Sequence, residues 1–402
     1  MTALDNATAA IACARRAYTA DRHSAAFEVE TRPLAALGSI IEPWRQLATH
    51  AVEPNVFYEP AFALSAAPLL GANVMAGLVW TAGEPRRLAG IFPMRIERHR
   101  YGVLIPVLVG WTHPYAPLGT PLVHRDMAEP VVAAWLDHVA RDPNLPDLML
   151  MRLFDEEGLF AAALNSVLAS RDCEVKSFDR HRRAMLAPGD NRVRYFERTW
   201  AGKRQKELRR QRRRLEELGP VTLALAEDGP ELARSLDDFL ALEASGWKGL
   251  AGTATLDNPN VGQFVQRAVT DLGREGKVSI YRLLLDGKAI AASILLKDGD
   301  AAWDWKIAYD EKFSIYSPGV MLLAAITETL LADTAIARVD SCAVSAHPMI
   351  DRVWGERLAV ADCLIAADAG VGYSFALASR LEVLRRAAMA AAKSLRDQVW
   401  RS

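Results

Sequence analysis

Apolar positions along the chain fall into two series of elements that follow one order. In the first, the alternation in FEVETRP (27–33) predicts a short strand, and LAALGSIIEPWRQLATH (34–50) predicts a helix interrupted at Pro43. A second helix is expected over Pro60–Leu70, then strands over Asn73–Thr81, Leu88–Glu97 and Tyr101–Val109. A loop rich in proline and glycine leads to a helix over Ala128–Arg141, the strand DLMLMRLF (147–154), a helix near Glu156–Ala169 and a strand at Cys173–Phe178. The order is β-α-α-β-β-β-α-β-α-β.

The second series repeats it. VTLALAE (221–227) reads as a strand and Pro230–Ala244 as a helix. A further helix, Asn258–Gly273, has Val261, Phe264, Val265, Ala268 and Leu272 at the spacing of one helical face. Strands follow over Val278–Leu285, Ala289–Leu296 and Ala301–Tyr309, with Asp-Gly pairs at both reversals, the signal of an antiparallel meander. IARVDS (336–341) and LAVADCLIA (358–366) are strands flanking a short helix near Pro348–Arg357. The halves read as an internal duplication of structure, although no clear residue identity links them.

Residues 301–324 organise the second series. After the strand and the polar loop Asp310–Tyr316, Ser317-Pro318-Gly319 opens an apolar helix running from Val320 towards Leu331. Serine is a favoured N-cap, proline fits the first helical turn, and Gly319 leaves bare backbone for a ligand to approach. Such a helix start presents unpaired N–H groups and the positive end of the dipole, which suits a pyrophosphate, though an ordinary capped helix has the same pattern. On the strand, alternation puts Asp304 and Lys306 on one face and Trp303 and Trp305 on the other. An aspartate and a lysine in an apolar strand are costly to bury unless paired, so a structural ion pair and a catalytic role both fit.

Composition narrows the setting. At 402 residues, two domains are expected, and a net charge of −1 gives no whole-protein attraction to nucleic acid or acidic lipid. Cys13, Cys173, Cys342 and Cys363 are scattered without ligand spacing or a paired framework, which predicts a reducing compartment, no zinc and no disulfides. No apolar run reaches the length of a membrane span. Residues 1–26 carry arginines but no continuous apolar core, so they read as a loosely ordered tail of a cytoplasmic protein rather than a signal peptide.

The element order, with a phosphate-suited helix start after the fourth strand, resembles the GNAT acyltransferase fold, and two tandem copies resemble the FemAB-like arrangement. SGWKGLAGTATL (245–256), YSPGVMLL (316–323) and DSCAVSAHPMIDRVWGER (340–357) resemble the BioF2-like or CelD/BcsL group of acyltransferases. NVFYEPAF (55–62) and GWTHPYAPLGTPLV (110–123) also look like that group. The resemblance covers most of 27–367. It implies an α/β (α+β) protein of two tandem GNAT-like domains, each a mixed, mostly antiparallel sheet flanked by helices. The expected division is a tail (1–26), a degenerate N-terminal GNAT-like domain (27–190), a basic connecting helix (191–219), a C-terminal acyltransferase domain (220–370) and an amphipathic helix (371–402). One departure is that Ser-Pro-Gly stands where most GNAT enzymes have an arginine- and glycine-rich pyrophosphate loop.

The chemistry the resemblance implies is direct acyl transfer from a thioester to an amine, with acetyl-CoA or another acyl-CoA as co-substrate and no metal. Trp305, Ile307, Ala308 and Tyr309 on a splayed strand would bind the pantetheine arm, and Tyr316, Ser317, Pro318, Gly319 and Val320 the pyrophosphate. A proton acceptor near the amine is needed, and Asp304, Asp340 and His347 are the candidates. His347 is equally read as a capping residue, and Asp351 as a substrate ligand or an exposed helix residue. Trp247 and Lys248, in a glycine-rich loop, and Lys306 are candidate substrate ligands. Trp111, His113 and Tyr115 either line the acceptor cleft near the domain junction or pack there. In the first half Pro117-Leu118-Gly119-Thr120-Pro121 takes the place of Ser-Pro-Gly, and its prolines remove donors that a pyrophosphate needs.

The implied acceptor is an amino sugar or a related small-molecule envelope or exopolysaccharide precursor. A FemAB-like aminoacyl transferase using charged tRNA is the alternative, and a non-catalytic module binding glycan or protein is the third. KRQKELRRQRRRLEELG (203–219), with Leu208, Leu215 and Leu218 as an apolar stripe, is either a tRNA-binding or a solvated connecting helix. Phe375–Trp400 places Leu377, Leu381, Leu384, Ala388, Leu395 and Val399 at helical spacing. Packing on the domains, pairing with a second chain and a peripheral contact with the inner membrane face all fit that pattern.

Overall fold

The computed structural model describes residues 26–200 and 202–399, so the expected tail lies outside it except for Ala26, as do Cys13 and Trp400. Along the first half run β1 (Phe27–Pro33), α1 (Ile41–Thr49), α2 (Pro60–Leu70), β2 (Met75–Thr81), β3 (Leu88–Glu97), β4 (Val107–Gly110), β5 (Leu122–Val123), α3 (Ala128–Arg141), β6 (Leu148–Asp155), α4 (Leu159–Arg171) and β7 (Val175–Leu186). The second half carries α5 (Gly202–Glu216), β8 (Val221–Ala226), α6 (Gly229–Ser245), α7 (Pro259–Arg274), β9 (Val278–Leu285), β10 (Lys288–Asp298), β11 (Ala301–Tyr309), α8 (Pro318–Ala332), β12 (Arg338–Asp340), β13 (Glu356–Ala366) and α9 (Gly372–Val399).

Several expected elements change shape, each for a local reason. Pro43 does not break a helix: a 3₁₀ segment, Leu34–Ile40, precedes α1, and the proline sits in the first turn of α1, where its missing N–H is harmless. The strand expected over 101–109 begins only at Val107, because Gly102 turns the chain at φ 74° and leaves Val103 and Leu104 exposed. β7 runs on to Leu186 past Phe178, through a charged DRHRR stretch whose Arg183 is buried against Asp340. Only a 3₁₀ turn, Ile350–Arg352, stands where a helix was expected near 348–357.

Two compact units result, one from residues up to Glu53 with Asn73–Arg180 and Ala361 onward, the other from Pro54–Ala72 and His181–Val360. In the first, β1, β2, β3 and β4 pair antiparallel in that order, β4 pairs β6 in parallel, and β13 lies beside β6. In the second, β8, β9, β10 and β11 pair antiparallel, β11 pairs β12 in parallel, and β7 pairs β12 antiparallel. The duplicated order of strands is therefore observed. Each unit takes one of its strands from the other half of the sequence.

The first core packs α3 and α4 on the sheet, with Trp135 stacked on Phe92 at 5.2 Å between ring centres. In the second unit α8 lays Leu322, Leu323 and Ile326 against Leu283, Ala291 and Leu295. α2 and the 3₁₀ turn before it, Val56–Tyr58, also belong there: Phe57 of the turn and Phe62 of α2 meet Trp303, Trp305 and Phe264 edge to face at 5.5–6.0 Å. α9 buries Phe375, Ala378 and Glu382 and leaves Leu377, Leu384 and Leu395 exposed, so the expected leucine stripe is largely turned outward. The buried Glu382 carboxylate, gripped by Arg100 and Arg386, sets that orientation, because a paired charge cannot be rotated out without loss of both partners. No described helix is long and apolar enough to cross a membrane.

Candidate active site

The site starts from an irregularity in β11. Ile294 of β10 pairs with Lys306 and the next residue, Leu295, pairs with Asp304, so Trp305 is the extra residue of a β-bulge. The bulge resets the alternation that the sequence predicts. Trp303 packs on Phe57 and Trp305 on Phe62 of α2 and Phe264 of α7, and Lys306 reaches Glu243 Oε1 and Thr255 Oγ1, each at 2.8 Å. Ile307 and Tyr309 pack in the core beneath α8. Asp304 and Lys306 thus do not form the expected pair. Asp304 is enclosed and accepts the Ser293 hydroxyl hydrogen bond, and burial raises its carboxyl to about 6 despite that bond.

β12 pairs β11 only over Ala301–Trp303, and from Asp304 onward β10 is the ladder partner of β11. Asp340, at the end of β12, is buried and ion-paired with Arg183, and its other oxygen accepts the Cys342 amide at 3.0 Å. That carboxylate is committed to fixing the strand end and its turn. Burial pushes the Cys342 thiol well above its usual range.

Beyond Tyr309 the chain reaches α8. Ser317 stands at the N-cap position, but at φ 55°, ψ 51°, and no side chain caps the helix. Serine was expected to cap; in this left-handed conformation it does not. Gly319 and Val320, in the first turn, line a cleft of about 380 Å³. Tyr309, Ser317, Pro318, Gly319 and Val320 form one wall, and Arg204 and Gln211 of α5 with Arg352 another. Arg204 donates to the Arg352 carbonyl at 3.1 Å, and the Trp200 indole to the Val353 carbonyl at 3.3 Å, which ties the two sides of that wall together. A Cβ on Gly319 would lie 3.2 Å from Met349 Sδ and from the Tyr309 ring, so close packing also asks for glycine here.

The other expected residues divide clearly. Trp305 and Ala308 are buried in the sheet and Ile307 packs against the core, while Tyr316 lies under the Arg214 guanidinium at 5.6 Å; none of these lines the cleft. His347 is next to the cleft residues Pro348 and Met349, and its Nδ1 accepts the Met349 and Ile350 amides at 3.4 Å, a capping geometry. Burial lowers its pKa, against a raising contribution from Asp351. Asp351 is bonded to Arg357 at 3.4 Å. Lys248 joins Lys306 on Glu243, at 2.9 Å, and Trp247 beside it is exposed. Trp111, His113 and Tyr115 form an aromatic run in the first unit and do not line the cleft. Burial drives the His113 pKa down to about 4, so that imidazole is neutral.

Arg204, Gln211 and Arg352 are among the cleft residues that sequence reasoning did not single out, as is Glu207, whose carboxylate is held by Arg210 at 2.7 Å. The signal was present as the run of basic residues at 203–214, but nothing local shows which arginines turn towards Pro318.

Residues 202–346 match the family described as "Acetyltransferase (GNAT) domain", so that segment is similar to acetyltransferases of this kind. No curated protein matches the sequence. Among solved structures, FemX is similar over 80% of this chain and 95% of its own, at 8% identity and a TM-score of 0.53. A C-terminal (DUF2156) domain described as belonging to a lysylphosphatidylglycerol synthetase of Agrobacterium fabrum is similar over 85% and 95%, at 10% identity and a TM-score of 0.52. A conserved protein of Bacteroides thetaiotaomicron aligns over 84% and 99%, at 12% identity and a TM-score of 0.48. At such identities the likeness is one of fold.

Proposed function

We propose that the chain moves an acyl group from acyl-CoA, acetyl-CoA being the simplest, to an amine, with the CoA diphosphate held at the start of α8. The observation that carries this reading is the cleft of about 380 Å³ lined by Gly319 and Val320, from the uncapped first turn of α8, together with Arg204 and Arg352. The residues fit the group. Amides at a helix start and two guanidinium groups are what a diphosphate needs, and Arg204 and Arg352 supply charge that the Ser-Pro-Gly turn lacks. The thioester supplies the activated acyl group. Asp304, poised near neutral by burial, is the group we assign to accept the amine's proton, with Ser293 orienting its carboxylate. His347, committed to two amides, is the weaker candidate, and Asp340, tied to Arg183, the weakest.

The acceptor we assign is an amino sugar of an envelope or exopolysaccharide precursor, on the strength of the BioF2-like and CelD/BcsL resemblance of 245–256, 316–323 and 340–357, with the reaction on the cytoplasmic side. A second reading, aminoacyl transfer from tRNA, is favoured by one feature: Lys203, Lys206, Arg209 and Arg213 of α5 are exposed outside the cleft. Calorimetric titration with acetyl-CoA tests the first reading. Replacing Arg204 and Arg352 together by alanine is expected to weaken binding at least about tenfold, from roughly 1.5–3 kcal/mol per charge-assisted hydrogen bond. Unchanged affinity would place the diphosphate elsewhere, and activity that ribonuclease abolishes would favour the second reading.

A further inference from the structure

α9 is fastened within the first unit by its charged side. Glu382, whose side chain is fully buried, receives Arg100 at 2.9 Å and Arg386 at 2.7 Å. Arg386 also donates to Asp362 at 2.8 Å and pairs with Asp179, and its guanidinium lies 5.1 Å from the Phe178 ring centre. Phe375 and Ala378 complete the attachment, in a cluster with Val107, Leu148 and Leu364. The opposite side is apolar. Leu377, Leu381, Leu384, Ala388, Ala391 and Leu395 recur at alternating intervals of four and three residues, which sets them in one line along the helix. Leu377 is 40% exposed, Leu384 65% and Leu395 64%. The helix has 28 residues and a length of about 42 Å, and every residue from Ala387 to Leu395 is exposed. Beside it, Tyr101 and Ile105 pack against the same cluster as Phe375, and Val103 and Leu104 between them are exposed.

A surface helix ordinarily buries its leucines and leaves its charges in water. α9 does the reverse, desolvating Glu382 and its arginines while holding an apolar line outward. We propose that this outward face docks on an anionic phospholipid bilayer. The leucines enter the boundary between headgroups and acyl chains, and Arg380 and Lys393, both exposed, meet the lipid phosphates. Charge decides between a bilayer and a second copy of the chain. The positions flanking the line are Arg380, Ala387 and Ser394 on one side and Ala378, Arg385 and Ala392 on the other. A second α9 laid along the line would find no acid there to pair with Arg380, whereas lipid phosphates supply the anion. Ala388 and Ala391 also give a paired helix little side chain to bury. The surface lies wholly in the first unit and is independent of the acyl-transfer reading.

Cosedimentation of the full chain with vesicles tests this, comparing phosphatidylcholine alone with phosphatidylcholine mixed with phosphatidylglycerol. The anionic vesicles are expected to bind tighter by about fivefold for each of the two exposed cations, and to release the protein as salt rises. Arg380→Gln combined with Lys393→Gln should abolish the preference for anionic lipid. Leu384→Ser combined with Leu395→Ser should weaken binding to the anionic vesicles at least about tenfold. Both double variants should keep the wild-type Tm, because all four side chains are exposed. Equal binding to the two vesicle types, no binding to the anionic ones, or binding that both double variants retain would overturn the assignment. Sedimentation equilibrium supplies the other arm. A wild-type dimer that the leucine variant splits, with no vesicle binding, would give the face to a second copy and overturn it as well.

Discussion

Asp304 is polar, enclosed and short of partners, with Ser293 as its hydrogen-bond donor. A carboxylate in that position is unstable as an anion, which is why its pKa rises from 3.8 to about 6. The folded state therefore binds a proton more tightly than the unfolded chain. The stability this group contributes is fully present below 3.8 and is lost as pH rises through 6. Asp304→Asn keeps the shape and removes that loss, so at pH 7.5 the variant should be more stable, by up to about 3 kcal/mol at 1.36 kcal/mol per unit of pKa. If Asp304 accepts the amine's proton, kcat/KM of the wild type falls below an apparent pKa near 6, and the variant loses about a hundredfold or more in rate. Urea denaturation and a pH–rate profile check both at once. A variant that gains stability and keeps full activity would move the proton acceptor elsewhere. The aspartate itself was legible as a charge in an apolar strand; its isolation from Lys306 was not, since a single bulged residue reverses the alternation and leaves no mark in the composition of the strand.

At the scale of elements, α5 shows how much a local pattern can and cannot say. Its leucines were legible as a stripe, and Leu215 and Leu208 do pack in the second core. Leu218 does not: α5 ends at Glu216, Gly219 turns the chain at φ 155°, and Leu218 is 52% exposed. What the sequence could not place is the face the stripe leaves free, because Arg204 and Pro318, which line one cleft, are more than a hundred positions apart. The packing of the stripe aims the arginines. Leu215→Ala should therefore cost about 2–5 kcal/mol, as for a fully buried leucine, and weaken acetyl-CoA binding although it touches no ligand. Leu218→Ala should change neither beyond about 0.5 kcal/mol. Denaturation midpoints and titration of both variants decide it, and an acetyl-CoA affinity indifferent to Leu215 would separate the helix from the cleft. The same reasoning applies to β7, where a charged stretch conceals a strand because the cost of burying Arg183 is met by Asp340, 157 positions away.

At the scale of the whole molecule, the duplication was legible from the repeated order of elements, but the exchange of segments was not. NVFYEPAF belongs by position to the first half, yet Phe57 and Phe62 build the aromatic wall behind Trp303 and Trp305, and Glu59 is buried in the second unit. There Lys277 lies 2.8 Å from Glu59 and 3.2 Å from Asp298, so one ammonium serves two buried carboxyl groups. Both acids are pushed upward, by burial and then by each other for Glu59, which reaches about 8, and chiefly by burial for Asp298. The pair keeps a proton at neutral pH. Since the Glu59 pKa is above its unfolded value of 4.5, its contribution is complete below 4.5 and disappears as pH rises through 8. Lys277, raised above 10.5, loses its own contribution only at higher pH and does not shape that window. The second unit should therefore weaken between pH 5.5 and 8.5, at a limiting slope of about 1.4 kcal/mol per pH unit. Glu59→Gln retains the volume and a hydrogen-bond donor toward Asp298 and should flatten the slope while leaving stability at pH 5.5 nearly unchanged. Urea midpoints across that range measure it. An identical slope in both proteins would mean that Glu59 is ionised when folded, and that the helix carried over from the first half is held by an ion pair rather than by a shared proton.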